Sequence, residues 1–141
     1  MRRGGRIVVL RVKQKITSHY GKRWGRFHRG IDLRTWNLAF WKPQAIVFPE
    51  KCEILRIWED DWGGGIAVKP LSSVMYDELK FIHLQISPLL KEGQICNTGL
   101  YMGHSSLSKL NKSHHLHFET WVANTTVDPT LYLDHREYDY D

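Results

Sequence analysis

Apolar and polar residues alternate with a period of two along much of this chain, and the alternation is sharpest near its end. In Ser113-His114-His115-Leu116-His117-Phe118-Glu119-Thr120-Trp121-Val122, a strand would turn Leu116, Phe118, Thr120 and Val122 to one side. That side is apolar enough to lie on a core. His115, His117, Glu119 and Trp121 fall on the other side, so two imidazoles leave one face of a rigid element. The bland reading is histidines on the wet face of an ordinary strand. Against it, the neighbouring positions already supply the core face, and three histidines within four residues have no packing purpose. A metal or catalytic site is the better reading. Residues 79–86 repeat the device: Ile82, Leu84 and Ile86 alternate onto a core face, and Phe81, His83 and Gln85 point away. Alone, His83 would be a satisfied surface histidine; beside the first strand it becomes a third histidine facing the site.

The rest of the pattern is also strand-like. Short strands are predicted at 7–12, 31–33, 45–48, 52–58 and 66–69, and Leu131-Tyr132-Leu133 packs back after a turn at Val127-Asp128-Pro129-Thr130. Gly21, Gly25 and Gly30 break residues 16–30 into loop. Residues 36–43 read as an aromatic loop and 101–112 as a flexible one. Gly63-Gly64-Gly65 reads as a tight turn, because neither the Lys-Ser/Thr sequel nor the helix of a phosphate cradle follows it. No internal repeat and no dominant amphipathic helix is visible. The expected architecture is mostly β, a single domain built on an antiparallel sheet with a groove over one face.

At 141 residues the chain suits one domain with a real core. Its net charge of +5 conceals an asymmetry: residues 1–34 hold eleven Lys and Arg against one acid, Asp32, and the remainder is net acidic. A basic third of this kind suits an anionic polymer such as nucleic acid, a membrane surface or bacterial wall. Cys52 and Cys96 make neither a disulfide framework nor zinc-ribbon spacing, and read as buried apolar residues. The apolar run Ile7-Val8-Val9-Leu10 is too short for a signal peptide and is cut off by Arg11. No stretch approaches the length of a membrane-spanning helix.

His28 and Asp32 stand four apart around Gly30, which lets an imidazole and a carboxylate converge, a pairing that suits zinc. Together the pieces match one pattern in order: Ile16-Thr17-Ser18 with Tyr20-Gly21 and Arg23, His28-x-x-x-Asp32, Phe81-Ile82-His83-Leu84, Lys91-x-Gly93-Gln94, and His115-Leu116-His117-Phe118-Glu119. From about Ile16 to Leu133 the chain resembles the lysostaphin-like zinc endopeptidases, which cut the peptide cross-links of bacterial peptidoglycan. The resemblance implies a mostly antiparallel β fold whose groove holds one zinc ion per chain, through His28, Asp32 and His117. It places the two further active-site histidines at His83 and His115. Three protein ligands leave a fourth position open, as in catalytic rather than structural zinc sites. Glu119 reads as a residue that supports its neighbours rather than as the base. The chain departs from the pattern at His114, where a proline is usual, in the longer, more basic approach 105–113, and in the aromatic stretch 36–43.

The expected domain plan is a basic N-terminal extension (1–15), a zinc endopeptidase catalytic domain (16–133) and an acidic tail (134–141). The expected substrate is the peptidoglycan peptide, with action at the cell wall or periplasm. With no export signal in view, delivery by a bacteriophage is expected, as a tail- or virion-associated protein with phage tail or virion partners, or as an endolysin. A non-enzymatic wall-binding or assembly module on the same fold is the alternative. Nucleic acid is not expected as a partner, since no recognition helix or aromatic RNA-binding motif is present and the metal constellation would go unexplained. Membrane insertion is not expected either.

Overall fold

The computed structural model describes residues 2–3, 6–7, 14–37, 40–133 and 138–140, with side chains placed for 15–36 and 40–133. Most of the 1–15 extension, the 7–12 strand beyond Ile7, and most of the 134–141 tail lie outside the described residues.

The elements, in chain order, are β1 (Arg2–Arg3), β2 (Arg6–Ile7), β3 (Gln14–Ser18), β4 (Gly21–Arg23), β5 (Arg26–His28), β6 (Ile31–Arg34), β7 (Trp36–Asn37), β8 (Lys42–Pro43) and β9 (Ile46–Val47). They continue with β10 (Cys52–Asp60), β11 (Gly63–Pro70), β12 (Glu78–Ile86), β13 (Ile95–Cys96), β14 (Tyr101–Ser105), β15 (His115–Val122) and β16 (Thr125–Val127). A 3₁₀ turn (Pro129–Leu131) and β17 (Tyr138–Tyr140) close the chain. The main sheet runs β13-β10-β11-β12-β15-β6-β3-β17, with β14 beside β12 and β9, and β16 beside β15. Its pairings are antiparallel except that of β17 with β3. Three short pairs stand apart: β1 with β2, β4 with β5, and β7 with β8.

One face of the central strands is the core. Ile31 and Leu33 of β6, Leu79 and Phe81 of β12, and Leu116 and Phe118 of β15 are fully buried there. The Phe81 and Phe118 rings lie 5.0 Å apart, and Phe118 reaches Tyr132 at 5.8 Å. Each such side chain contributes about 1.5–3 kcal/mol by leaving water. One buried carboxylate belongs to this core as well. Glu50 accepts the amides of Ser72 and Ser73 at 3.0 and 2.7 Å, the Ser73 hydroxyl at 2.6 Å, and the Tyr132 hydroxyl. It thereby ties three connections to one point. Cys52 and Cys96 oppose each other on β10 and β13 as buried free thiols. Burial first, and the charge of Glu50 second, push the Cys52 thiol up to about 12.

Residues 16–30, read as loop, hold the end of β3 and the β4–β5 hairpin. The structure corrects four further readings of the sequence. Residues 36–43 form the β7–β8 hairpin, and 101–105 form a strand that closes the margin of the sheet between β12 and β9. The three glycines are not the turn, which falls at Asp61-Trp62; they open β11. Gly63 is required by its φ of +98°, the other two by space: a Cβ on Gly65 would sit 2.2 Å from the Trp58 indole, and one on Gly64 would sit 2.5 Å from the Leu84 carbonyl oxygen.

The fourth correction concerns β12. Leu79 and Phe81 face the core, so Phe81 does not share a face with His83, and Ile82 is opposed to His117 on the groove side. Uninterrupted alternation would then bury His83. Instead the pairing with β11 slips between Gly65↔Ile82 and Gly64↔Leu84, leaving His83 as an extra residue at φ +75°. This β-bulge returns His83 to the groove and Leu84 to the core.

Candidate functional site

The site begins with a cross-strand pair. Asp32 of β6 is opposed to His117 of β15, so both leave the same face as immediate neighbours. The Asp32 Oδ1 and His117 Nδ1 atoms are 3.1 Å apart. His28, the last residue of β5, brings its Nε2 to 3.4 Å from the same oxygen. Between them Gly30 lies so close to β15 that a Cβ there would meet the Phe118 carbonyl oxygen at 2.3 Å. The His28-x-x-x-Asp32 turn therefore rests directly on the backbone of the histidine strand.

One ligand-type atom from each of His28, Asp32 and His117 lies within 4.8 Å of the other two. The outer ring nitrogens are held by acceptors. His28 Nδ1 donates to the His19 carbonyl at 2.9 Å, and His117 Nε2 donates to Glu119 Oε2 at 2.8 Å. A neutral ring held in this way would turn a lone pair toward the centre, the tautomer a metal requires. Two imidazoles and a carboxylate suit zinc, so the residues present fit that ion.

His83 and His115 come to the rim of this group. Their rings are 4.7 Å apart, and His83 lies 6.1 Å from the His117 ring. His83 Nδ1 donates to the Trp62 carbonyl at 2.7 Å, and His115 Nδ1 meets the Ser113 hydroxyl at 3.0 Å and the Ser113 carbonyl at 3.1 Å. Their Nε2 atoms have no hydrogen-bond partner among the described residues; that of His115 is 3.9 Å from Asp32 Oδ1. All five residues singled out from the sequence thus converge.

No protein-family model matches the sequence, and no curated protein matches it. Solved structures do. The catalytic domain of the antimicrobial peptidase lysostaphin from Staphylococcus simulans aligns with a TM-score of 0.68 at 20% identity, covering 84% of this chain and 91% of that one. A zinc containing peptidase from Vibrio cholerae aligns with 0.64 at 22% identity, over 86% of this chain and 39% of that one. A chain of the SpoIIIAH and SpoIIQ complex aligns with 0.71 at 12% identity, over 89% and 96%. This is the lysostaphin-like fold.

On this fold the charges of the site are coupled. Burial works against the Asp32 carboxylate, but hydrogen bonds from His117 and His28 and the charge of the imidazoles outweigh it, holding the carboxyl well below its usual range. Burial likewise opposes a charged His117, yet its bonds to Asp32 and Glu119 win and raise the ring to about 9. His83 moves the other way, since burial depresses its pKa. Glu119 is buried, which would raise its carboxyl, but the bonds from His117 and Trp121 and the charge of Lys80 lower it. The Trp121 indole N–H donates to Glu119 Oε1 at 2.8 Å, and Lys80 sits 4.1 Å over that indole.

The supports were the part that sequence reasoning missed. The carbonyls of His19 and Trp62 and the residue Ser113 carry no motif, because any residue type offers a carbonyl. His114 proves to have a packing purpose: its Nδ1 meets the Ser105 hydroxyl at 3.0 Å and its ring lies 5.1 Å from Trp36. The approach to β15 is internally bonded, with Asn111 Nδ2 donating to the Ser106 and Ser113 carbonyls at 3.0 and 3.1 Å.

Proposed function

We propose that this chain is a zinc-dependent endopeptidase that cleaves the peptide cross-links of bacterial peptidoglycan, acting at the cell wall, with residues 16–133 as its catalytic domain. The observation that carries the reading is the meeting of His28 Nε2, Asp32 Oδ1 and His117 Nδ1 around one point, with two further imidazoles at its edge. His28, Asp32 and His117 would hold one zinc ion. When bound, zinc supplies Lewis acidity, lowering the pKa of water from 15.7 to about 7 and polarising a carbonyl.

The remaining chemistry belongs to His83 and His115. His83 is kept neutral near pH 7 by burial, and its Nδ1–H is committed to the Trp62 carbonyl. Its Nε2 is therefore a proton acceptor at the groove, suited to take a proton from water and return it to the leaving amine. With its Nδ1 accepting from the Ser113 hydroxyl at 3.0 Å, His115 carries its ring proton on Nε2, which donates toward the charge that develops on the scissile carbonyl oxygen. The likeness to two peptidases, one described as zinc containing, supports this reading.

A second reading is a non-enzymatic wall-binding or assembly module. The likeness to a chain of the SpoIIIAH and SpoIIQ complex, a protein assembled with another, favours it. The solved structures lend no support to the expectation of phage delivery. Mass spectrometry of muropeptides after incubating several wall chemotypes with the zinc-loaded chain separates the two readings. New amine termini at cross-links, lost in His115→Ala, are expected. Zinc binding with no cleavage of any wall would leave the module reading.

A further inference from the structure

The hairpin of β4 and β5 closes with Arg23 opposed to Arg26, so its turn is the two residues Trp24 and Gly25. Both have positive φ, 46° and 76°. That combination matches the right-handed twist of the strands and is normally filled by Asn-Gly. A bulky residue in this region is a steric outlier. The Trp24 indole also stands 97% exposed. Position 24 thus carries two costs, a strained backbone and a bare indole, and has almost no packing to offset them. Backbone strain of this kind clusters at functional sites.

The β7–β8 hairpin offers a second tryptophan at positive φ. Trp41 has φ 50° and is 75% exposed, its ring edge-on to Trp36 at 6.4 Å, beside an exposed Phe40. The two hairpins leave opposite ends of β6: β5 leads into Ile31, and β7 follows Arg34. Asp32 lies on the strand between them. Both arms are basic. Lys22, Arg23 and Arg26 are exposed and have no ion pair among the described residues. With Trp24 and Phe27 they line a concavity of about 380 Å³. On the second arm Lys42 is exposed, its Nζ 5.9 Å from the Phe40 ring.

We propose that these arms bind intact bacterial peptidoglycan on either side of the candidate metal centre. The Trp24 and Trp41 indoles stack on the C–H faces of its amino-sugar rings. Lys22, Arg23 and Arg26 pair with the carboxylates of its stem peptides. An indole offers a wide rigid face, and the neighbouring cations complement the acidic peptide. A repeating polymer meets both arms at once, so the second contact forms at high effective concentration. The inference rests on the proposed substrate but concerns adhesion, not cleavage.

The test uses the full chain carrying His115→Ala, which holds cleavage down, sedimented with purified sacculi in 0.15 M salt. Trp24→Asn and Trp41→Asn are the informative variants, since Asn suits positive φ and keeps the turns folded. Each is expected to weaken sacculus binding about tenfold, the loss typical of a hot-spot tryptophan. In the otherwise native chain both leave cleavage of a short soluble cross-link peptide unchanged. Unchanged sacculus binding in the double variant overturns the proposal. So does tryptophan-dependent binding to phosphatidylglycerol vesicles or duplex DNA without binding to sacculi. Tryptophan-dependent sacculus binding by a chain that cleaves no wall keeps this inference and removes the enzymatic reading; cleavage with tryptophan-independent binding does the reverse.

Discussion

Asp32 and His117 face each other directly across β6 and β15, oxygen to nitrogen at 3.1 Å, and the far side of the same imidazole is held by Glu119 at 2.8 Å. A histidine between two carboxylates holds a proton tightly, which is why His117 is raised to about 9. A metal must displace that proton. Zinc affinity is therefore expected to climb about tenfold per pH unit between about 7 and 9, where His117 loses its proton in the metal-free chain, and then to level off. The metal-free chain has the opposite dependence. With the folded pKa above the ordinary 6.5, the stability this pair contributes is full below about 6.5 and is lost as pH rises through about 9. Competition titrations against a chromophoric chelator, with melting curves of the metal-free chain, check both slopes. Affinity independent of pH would remove the assignment of His117.

Glu119 holds His117 in the orientation that turns Nδ1 inward. Glu119→Ala is expected to lower zinc affinity about 10–100-fold, the usual effect of losing such a support. Glu119→Gln keeps an oxygen for the His117 N–H and should retain more of it. Metal competition on both variants decides, and equal affinity in all three proteins would show that Glu119 has no positioning role.

His83→Ala and His115→Ala should each keep one zinc per chain while turnover falls about 10²–10⁴-fold. Metal analysis beside single-turnover cleavage separates these from His117→Ala, which should lose the metal. Either variant cleaving at the native rate would take that histidine out of the mechanism.

Gly30→Ala forces a methyl group into the Phe118 carbonyl oxygen, backbone against backbone. A loss of about 1–3 kcal/mol is expected, as for other overpacked sites, together with weaker zinc binding because the His28–Asp32 turn lifts off β15. Urea denaturation with metal titration reads both. Native stability with native affinity would mean that the turn is not seated on β15 as described.

Glu50→Ala would remove the acceptor of four donors: the buried Tyr132 hydroxyl and the part-buried amides of Ser72 and Ser73 and hydroxyl of Ser73. Losing the partner of a buried donor costs about 1–3 kcal/mol, and the part-buried donors can turn to water, so a loss of about 1–3 kcal/mol is expected in chemical denaturation. The site residues are untouched, and zinc affinity in the folded variant should be native.

The histidine strand is legible from its letters because strand alternation is a local rule: Leu116 and Phe118 demand the core, and His115 and His117 have nowhere else to point. The spacing of His28 and Asp32 around Gly30 carries the other half of the site in the same way. His83 is different. Its strand taken alone supports a phase that buries Ile82 and exposes Phe81, and the opposite phase is the one observed. What sets the phase is Phe81 stacking on Phe118, and what returns His83 to the groove is the slip against Gly64 and Gly65. Neither partner lies near His83 in the chain. The same is true of the carbonyls that fix the His28 and His83 rings, supplied by His19 and Trp62. Residue types and spacing code which side chains can hold a metal or carry a proton. Which atom of the His28 and His83 rings faces inward depends on backbone groups that the fold brings to them, and those are the same for every residue type.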